Sequence, residues 1–501
     1  MKPPERTKVI CVGPISEDVK RELGNRRLSI SACNPNRLDI SLLRDARAAL
    51  VQFDRTKREA IAGLLAKNSV DALNAGALLA VVLPAAATQK EDRTSVSEIA
   101  GSLGIQVKAL NGWAAHEVAE ECARHHAGRP ANEKLDIQKE EGLVLTPALE
   151  TLLSRAFSDI NKIRVSSLQG GKSKRISGVW RIEAYDEKGH SLEPYVVKAG
   201  EKVLIKEERQ GMQDLVLDRI PFPNRPPLVL ERCVEGATEA LLTSKFIDRA
   251  IRFDHYLRFG APMLAISSLF DGPMRTWRHP QNVMAGEVVG LAQEYEKHQV
   301  IPSPQTTHGL VKSYELARVK YSANVMAPDT LLSLLFDLDR VRVSLCYCHG
   351  DLHTRNMFVR HNSFDVLLID FRNAASLSPT ARDPAKLDVG IAFDVWDDDR
   401  TSRPLPIDEL RVLYEPPLLP VRQAVEPLST RGEAIRHLRL LASVDASPLE
   451  YDLTVCFNLL NFARFEPEEK SENRAAIKEA QSTAYYLGER IASYVVKNAS
   501  T

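Results

Sequence analysis

The residues best suited to chemistry in this 501-residue chain lie in two short acidic segments of its second half. Asp351 and Asn356 are separated by four residues in the segment HGDLHTRN, which directly follows the apolar run VSLCYC. Asp370 comes 14 positions after Asn356, at the end of a second apolar run, VLLID. Because each segment follows a predicted apolar strand, we expect two carboxylates and an amide oxygen to converge on one site.

Those three side chains match the requirements of phosphoryl transfer from ATP. One carboxylate can accept the proton of the attacking hydroxyl, while the amide oxygen and the second carboxylate hold the Mg²⁺ that bridges phosphate oxygens. Protein sites for Mg²⁺ usually supply one or two carboxylates and leave the other positions to phosphate and water. The alternative is a pair of surface loops whose Asp and Asn residues cap turns, which these residues often do.

Upstream features are consistent with a nucleotide site. Gly170, Gly171 and Ser173 lie between two predicted strands, where small residues let backbone N–H groups approach phosphates closely. Lys198 ends the predicted strand YVVK. A lysine at a strand end is usually solvated, but the order of the motifs along the chain favours a phosphate contact for Lys198.

HGDLHTRN and LLIDF together resemble the catalytic and metal loops of the aminoglycoside phosphotransferase and choline kinase group, relatives of the protein kinases. The resemblance implies that Asp351 is the catalytic base. It also implies that Asn356 is a metal ligand and that Asp370 is the main metal ligand. His349 and His353 are implied to position the catalytic loop through hydrogen bonds.

The same resemblance gives Lys198 the role of the lysine on the third strand of kinases, which contacts the α- and β-phosphates. An acidic residue on the following helix would orient it, and the sequence does not choose between Glu207 and Glu208. The later segment RDPAKLD resembles the D-x-x-x-D-L-A segment that follows the metal loop in this family, which implies that Asp388 braces the catalytic loop. For Asp383, capping of a helix ahead of Pro384 is an alternative that stays open.

The chain length corresponds to roughly three domains at about 100–200 residues each. We predict a doubly wound α/β module over residues 1–128, which resembles a response-regulator receiver or another flavodoxin-like module. A polar linker is predicted over 129–145. The remainder resembles a bilobal α+β protein-kinase-like domain, with an N-lobe over 146–248 and a helical C-lobe with a C-terminal extension over 249–501.

Strand and helix patterns alternate regularly over the predicted N-terminal module, which indicates a parallel sheet. The predicted strands are 9–12, 28–33, 48–53, 78–83 and 105–110, and the predicted helices are 17–23, 55–67, 95–103 and 114–126. A receiver needs an acidic pair after its first strand to bind Mg²⁺, and Gly13 and Pro14 stand there instead. We therefore interpret Asp54, which ends the third strand, as a turn or helix cap and the module as non-catalytic. Beyond residue 250 we predict mostly helices, including 284–298, 330–341, 432–442 and 473–496.

Composition excludes several classes of function. Lys+Arg and Asp+Glu are balanced at 66 each, so the chain has no overall charge to attract nucleic acid or an anionic membrane. No apolar stretch approaches the ~20 residues needed to span a bilayer, and the first residues show no secretory signal, so we expect a cytoplasmic protein. The seven cysteines contain no CxxC pair, and we expect no disulfide framework.

The residues and the resemblance imply two main functions. The first is an ATP- and Mg²⁺-dependent kinase with an alcohol group as acceptor, most simply on a small molecule. The second is a nucleotide-binding scaffold, similar to the kinase-like modules of multi-component prokaryotic signalling or defence complexes, with a protein partner for the N-terminal module. A protein kinase is a third possibility, which the HGD-x-H loop and the missing glycine two residues after Asp370 disfavour. The sequence identifies neither the acceptor nor the oligomeric state.

Overall fold

The computed structural model describes most of the chain. The described residues are 6–34, 42–43, 45–84, 89–103, 107–112, 114–168, 175–321, 324–338, 341–360, 363–393, 402–421, 427–465, 467 and 473–499. They form two compact units, and we describe each unit by itself. The first consists of Met1–Arg209 with Pro227–Phe246, and the second of Gln210–Pro226 with Ile247–Thr501.

The first unit begins with a five-stranded parallel sheet whose strand order is β2-β1-β3-β4-β5. This order is that of a flavodoxin-like doubly wound sheet. Its strands are β1 (Lys8–Val12), β2 (Ser29–Cys33), β3 (Ala46–Gln52), β4 (Leu78–Leu83) and β5 (Lys108–Asn111). Its helices are α1 (Glu17–Asn25), α2 (Arg58–Asn74), α3 (Gln89–Leu103) and α4 (Ala115–Arg124).

Alternation along the central strands builds a core on each face of this sheet. On β1, Ile10 and Val12 belong to one buried cluster, whereas Val9 and Cys11 belong to the other. Strands covered on both faces are typical of parallel sheets, and they explain why the runs are almost wholly apolar. Asp54 caps the 3₁₀ turn after β3 by accepting a hydrogen bond from the N–H of Thr56, as predicted.

A second, six-stranded sheet follows in the same unit, with the order β10-β11-β9-β8-β7-β6. Its strands are β6 (Asp136–Lys139), β7 (Lys162–Ser167), β8 (Ile176–Tyr185), β9 (Tyr195–Glu201), β10 (Val234–Glu235) and β11 (Glu239–Lys245), and its helices are α5 (Pro147–Ala156) and α6 (Lys202–Gly211). Thr146 caps α5, with its hydroxyl accepting from the N–H of Leu149. Strand β6 lies inside the predicted linker and pairs in parallel with β7, so these four residues belong to the sheet.

A buried arginine on α5 joins the two sheets of the first unit. The Arg155 guanidinium is 4% exposed and donates hydrogen bonds to the backbone carbonyls of Asn74 (2.6 Å), Glu235 (2.7 Å) and Ala127 (3.2 Å). The Asn74 side chain in turn accepts from the N–H of Ala237 at 2.9 Å. Burial, together with the nearby charge of Arg6, lowers the pKa of Arg155 to about 9, although the Glu235 carboxylate acts in the opposite direction.

We expect Arg155→Met to lower the free energy of unfolding of the first unit by about 3 kcal/mol, because buried carbonyls lose their donors. Urea denaturation followed by circular dichroism measures this loss. The control is Arg164→Met on the exposed side of β7, which should leave the unfolding midpoint unchanged. Equal midpoints for both variants would contradict the joining role of Arg155.

The second unit is mainly helical and holds two small antiparallel sheets, with the orders β12-β15-β16 and β13-β14-β17. The strands are β12 (Ala250–Arg252), β13 (Met284–Val289), β14 (Val341–Cys348), β15 (Met357–Arg360), β16 (Val366–Leu368) and β17 (Ala375–Pro379). The helices are α7 (Phe253–Phe259), α8 (Pro262–Asp271), α9 (Pro273–Trp277), α10 (Leu291–Lys297), α11 (His308–Tyr321), α12 (Pro328–Asp337), α13 (Arg382–Ala392), α14 (Ile407–Leu413), α15 (Thr430–Ala442), α16 (Pro448–Ala463) and α17 (Arg474–Ala499).

Two predicted helices of this unit are wrong in part. The segment 284–298 divides into strand β13 and helix α10, because its first half pairs with β14. In the segment 330–341, the helix already ends at Asp337, and Val341 is the first residue of β14. The predictions over 432–442 and 473–496 are confirmed by α15 and α17.

Among the described residues, all seven cysteines are free thiols, and no helix is long and apolar enough to cross a membrane. Cys346 and Cys348 are buried on β14, as the alternation of that run predicts.

Candidate active site

The segment HGDLHTRN connects β14 to β15 in the second unit and is held mainly by backbone hydrogen bonds. The N–H groups of His349 and Gly350 donate to the two carboxylate oxygens of Asp383, at 2.7 and 2.9 Å. Gly350 has a φ of +79°, and a Cβ on it would lie 2.0 Å from the carbonyl oxygen of Asn373. The turn therefore requires glycine at this position.

Asp383, and not Asp388, braces the HGDLHTRN loop, the predicted catalytic loop. Asp383 is 2% exposed on the first turn of α13 and does not cap that helix. The prediction that gave the brace to Asp388 is wrong. Asp388 is fully buried one turn further on, where it pairs with Arg439 at 2.6 Å and accepts the hydroxyls of Tyr414 and Tyr451. It therefore joins α13 to the later helices.

We expect Asp383→Asn to lower the free energy of unfolding by about 2 kcal/mol, because the amide can accept from only one of the two loop N–H groups and turns its own donors toward the other. Urea denaturation measures this change. Asp408→Asn, at a side chain that is 91% exposed on α14, is the matched control and should be neutral. A neutral Asp383→Asn would mean that the carboxylate does not hold the loop.

The loop that carries Asp370 is bonded directly to the catalytic loop through Ile369. The N–H of Ile369 donates to the carbonyl of Asn356 at 3.1 Å, and its carbonyl accepts from Nε2 of His349 at 2.8 Å. Asp370 itself has a φ of 62°, a left-handed conformation that Asp tolerates better than most residues. The second unit thus brings Asp351, Asn356 and Asp370 into one neighbourhood.

The orientation of Asn356 leaves its oxygen as the atom suited to a cation. Its amide nitrogen donates to the backbone carbonyl of Asp351 at 3.0 Å, and the side chain is 7% exposed. Amide and carboxylate oxygens, such as those of Asn356 and Asp370, are donors that suit Mg²⁺ and not softer metals. Among the described residues, no group of three or more His, Cys, Asp or Glu side chains forms a closed metal site.

Asp351 lies beside a cation that the sequence analysis did not single out. Nζ of Lys386 is 3.3 Å from Oδ1 of Asp351, and Nε2 of His353 is 4.0 Å from Oδ2. Burial opposes the charge of Asp351, but the Lys386 ammonium, with smaller contributions from His353 and His349, outweighs it, so the pKa of the carboxyl lies well below its usual range. Asp351 is therefore an anion at neutral pH.

The two histidines both hydrogen-bond within the site. Besides its bond to Ile369, His349 accepts from the N–H of Asp351 through Nδ1 at 3.4 Å. His353 accepts from the N–H of Arg355 through Nδ1 and so caps the 3₁₀ turn Thr354–Asn356. Burial lowers the pKa of His353 to about 4, against the opposing effect of the Asp351 carboxylate, so its imidazole is neutral at neutral pH.

A second contact that the sequence analysis missed fixes the middle of the catalytic loop. The Arg355 guanidinium lies 3.2 Å from the carboxylate of Asp254, which is fully buried at the start of α7. Arg252 pairs with the same carboxylate at 2.7 Å. The spacing of about 100 residues between Arg355 and Asp254 offers no local pattern that could have predicted the pair.

In the first unit, Lys198 on β9 pairs with Glu208 on α6. Nζ of Lys198 is 2.7 Å from Oε2 of Glu208, with side-chain exposures of 14% and 6%. Glu208 faces inward because it lies one helical turn from buried Leu204, whereas Glu207 is exposed. Glu201, the last residue of β9, pairs with Arg175. The structure thus selects Glu208 from the two candidates that the sequence left open.

The predicted glycine cover, Gly170, Gly171 and Ser173, lies outside the described residues, and its role stays a prediction.

Comparisons with known proteins give distant structural similarity only. No family model and no curated protein matches the chain. An ethanolamine kinase of Plasmodium vivax is 10% identical, with a TM-score of 0.33 over 64% of this chain and 82% of its own. An aminoglycoside phosphotransferase of Streptomyces rimosus is 19% identical, with a TM-score of 0.31 over 60% of this chain and 99% of its own. A spectinomycin phosphotransferase solved with ADP and spectinomycin is 14% identical, with a TM-score of 0.23 over 67% and 93%. Because these TM-scores are low, we base the functional assignment on the residues of this chain.

Proposed function

We propose that the chain is an ATP- and Mg²⁺-dependent phosphotransferase that moves the γ-phosphate of ATP to a hydroxyl group, with a small molecule as the acceptor class. The observation that carries this proposal is the pair of hydrogen bonds made by Ile369, which tie the loop of Asp351 and Asn356 to the loop of Asp370. A base and two oxygen ligands for Mg²⁺ then belong to one small region of the second unit.

In the proposed reaction, Asp351 orients the acceptor hydroxyl and accepts its proton. A carboxylate with a depressed pKa is a weak base, and this is compatible with phosphoryl transfer. The transition state is loose, so positioning of the hydroxyl matters more than early removal of its proton. The Lys386 ammonium supports that role by keeping Asp351 charged.

We assign the metal to Asn356 and Asp370, on the donor chemistry described above. Mg²⁺ bound there would neutralise charge on the phosphate oxygens. The protein contributes the arrangement of the ligands: the hydrogen bond from the Asn356 amide to Asp351 turns its oxygen outward, and the bonds of Ile369 hold the neighbouring Asp370.

We assign the α- and β-phosphates to Lys198, oriented by Glu208. A lysine held by a buried carboxylate presents its remaining N–H groups in a limited set of directions, which favours a phosphate contact over a solvated strand end. Gly170, Gly171 and Ser173 remain the proposed cover of the phosphates.

For the N-terminal module, we propose a receiver-like, non-catalytic role in binding a protein partner. The strand order of its sheet supports the resemblance, and Asp54 hydrogen-bonds within its own turn, to Thr56, as a cap does.

The test separates turnover from binding alone. The purified chain is incubated with ATP, with and without Mg²⁺, against a panel of neutral, anionic and cationic alcohols, and ADP release is followed by a coupled assay. Mg²⁺-dependent ADP release that rises with one acceptor is the expected result. Thermal stabilisation by MgATP without ADP release for any acceptor would instead favour a nucleotide-binding scaffold. If MgATP causes neither ADP release nor thermal stabilisation, both functions are refuted.

A further inference from the structure

One face of helix α13 lies along the catalytic loop and is close to it at three positions. Asp383 accepts hydrogen bonds from the N–H groups of His349 and Gly350. Lys386 forms an ion pair with Asp351. Gly390 lies so close to the loop that a Cβ added to it would be 3.6 Å from Cβ of His353. The spacings of three and four residues along α13 are those of a single helical face. Lys386 is therefore held in register with Asp351 by contacts on both sides of it.

The ammonium of Lys386 reaches the same accessible region as the Asp351 carboxylate. The Lys386 side chain is 26% exposed and that of Asp351 is 34% exposed, whereas Asp383 on the same helix face is buried. A lysine has three N–H donors on a flexible four-carbon stem. One donor directed at Asp351 leaves the others able to serve a ligand beside that carboxylate.

The chemistry of transfer puts negative charge next to this ammonium. The acceptor hydroxyl must lie within ~3 Å of the Asp351 carboxylate and within about 3–3.5 Å of the γ-phosphorus. The equatorial oxygens of the transferring phosphoryl group then come close to the ammonium, which already lies 3.3 Å from that carboxylate. These oxygens carry the charge that spreads in the transition state.

We propose that Lys386 is a catalytic residue that contacts the equatorial oxygens of the transferring phosphoryl group. This role rests on the proposed phosphotransferase function. In the step, the bond from the acceptor oxygen to the γ-phosphorus forms and the bond from that phosphorus to the β-phosphate oxygen breaks. The electron pair leaves with ADP, and the hydroxyl proton goes to Asp351. Lys386 keeps its own protons and stabilises the charge on the group in transit.

The test uses fluoroaluminate with MgADP, a mimic of the phosphoryl group in transit that needs no acceptor. Dissociation constants for MgADP, with and without fluoroaluminate, are measured by calorimetry for the full chain, for Lys386→Met and for Lys386→Arg. The control is Lys297→Met, at a lysine that is 72% exposed on α10. Wild type and control should bind MgADP at least about 10²-fold more tightly with fluoroaluminate, as transition-state analogues do.

Lys386→Met should bind MgADP as wild type does but lose about 10–100-fold of the gain from fluoroaluminate, the value of one charge-assisted hydrogen bond. Lys386→Arg should recover part of it. The proposal would be overturned if Lys386→Met kept the full gain in MgADP affinity from fluoroaluminate, or if its MgADP affinity fell equally with and without fluoroaluminate. If the Met variant does not fold, Lys386→Gln repeats the test. If wild type itself shows no gain from fluoroaluminate, the phosphotransferase function fails instead.

Discussion

Replacing Asp351 with Asn is expected to lower kcat by about 10²–10⁴-fold, the usual contribution of a positioned general base. Asn has the same shape but cannot accept the hydroxyl proton. The affinity for MgATP should stay the same, because the proposed metal ligands Asn356 and Asp370 and the proposed phosphate contact Lys198 are untouched. Steady-state ADP release and calorimetric titration with MgATP measure the two quantities separately.

The matched control for this variant is Asp271→Asn, at an exposed residue that ends α8. It makes the same chemical change away from the loops and should leave kcat unchanged. Turnover of Asp351→Asn at the rate of the control would show that Asp351 is not the base.

Replacing Asp370 with Asn is expected to lower kcat/KM by about 10³-fold, equivalent to ~4 kcal/mol of lost charge stabilisation. Asn tolerates the left-handed conformation of this position, so the backbone at φ 62° need not change. The loss would then come from the charge of the metal ligand. Titration of Mn²⁺ into the complex with ATP, followed by electron paramagnetic resonance, should give a correspondingly weaker metal affinity.

The control for the metal prediction is Asp365→Asn, shortly before β16, whose carboxylate accepts from Ser363. It should bind Mn²⁺ with ATP as wild type does. Unchanged metal affinity in Asp370→Asn would contradict the assignment of Asp370 as the main metal ligand.

Local pattern was sufficient for much of the fold. The N-terminal strands and helices follow their apolar periodicity because a doubly wound parallel sheet buries both faces of each central strand. The apolar pattern was insufficient where pairing with a neighbouring strand decides the secondary structure. Residues 284–289 form β13 because β14 lies beside them, and 136–139 join the edge of a sheet although their composition is that of a linker.

The sequence could indicate only those residues of the candidate site that lie together in a short motif. Asp351, Asn356 and Asp370 were singled out by their spacing, and the hydrogen bonds of Ile369 tie their two loops together, although the loops follow strands of different sheets. The choice of Glu208 over Glu207 depends on which face of α6 is buried. Lys386 and the brace Asp383 depend on how α13 lies along the loop, and no local signal distinguishes Asp383 from Asp388 as the brace. Contacts between segments distant in sequence were thus the part that the sequence could not supply.

The measurement that most directly tests the central claim is transfer of ³²P from γ-labelled ATP in a screen of metabolites and lysate proteins, run with Mg²⁺ and with a chelator, beside the Asp370→Ala variant. We expect a labelled product with the wild-type chain and Mg²⁺, and almost none with the chelator or the variant. Labelling that survives in full in Asp370→Ala, or that needs no divalent cation, would contradict it.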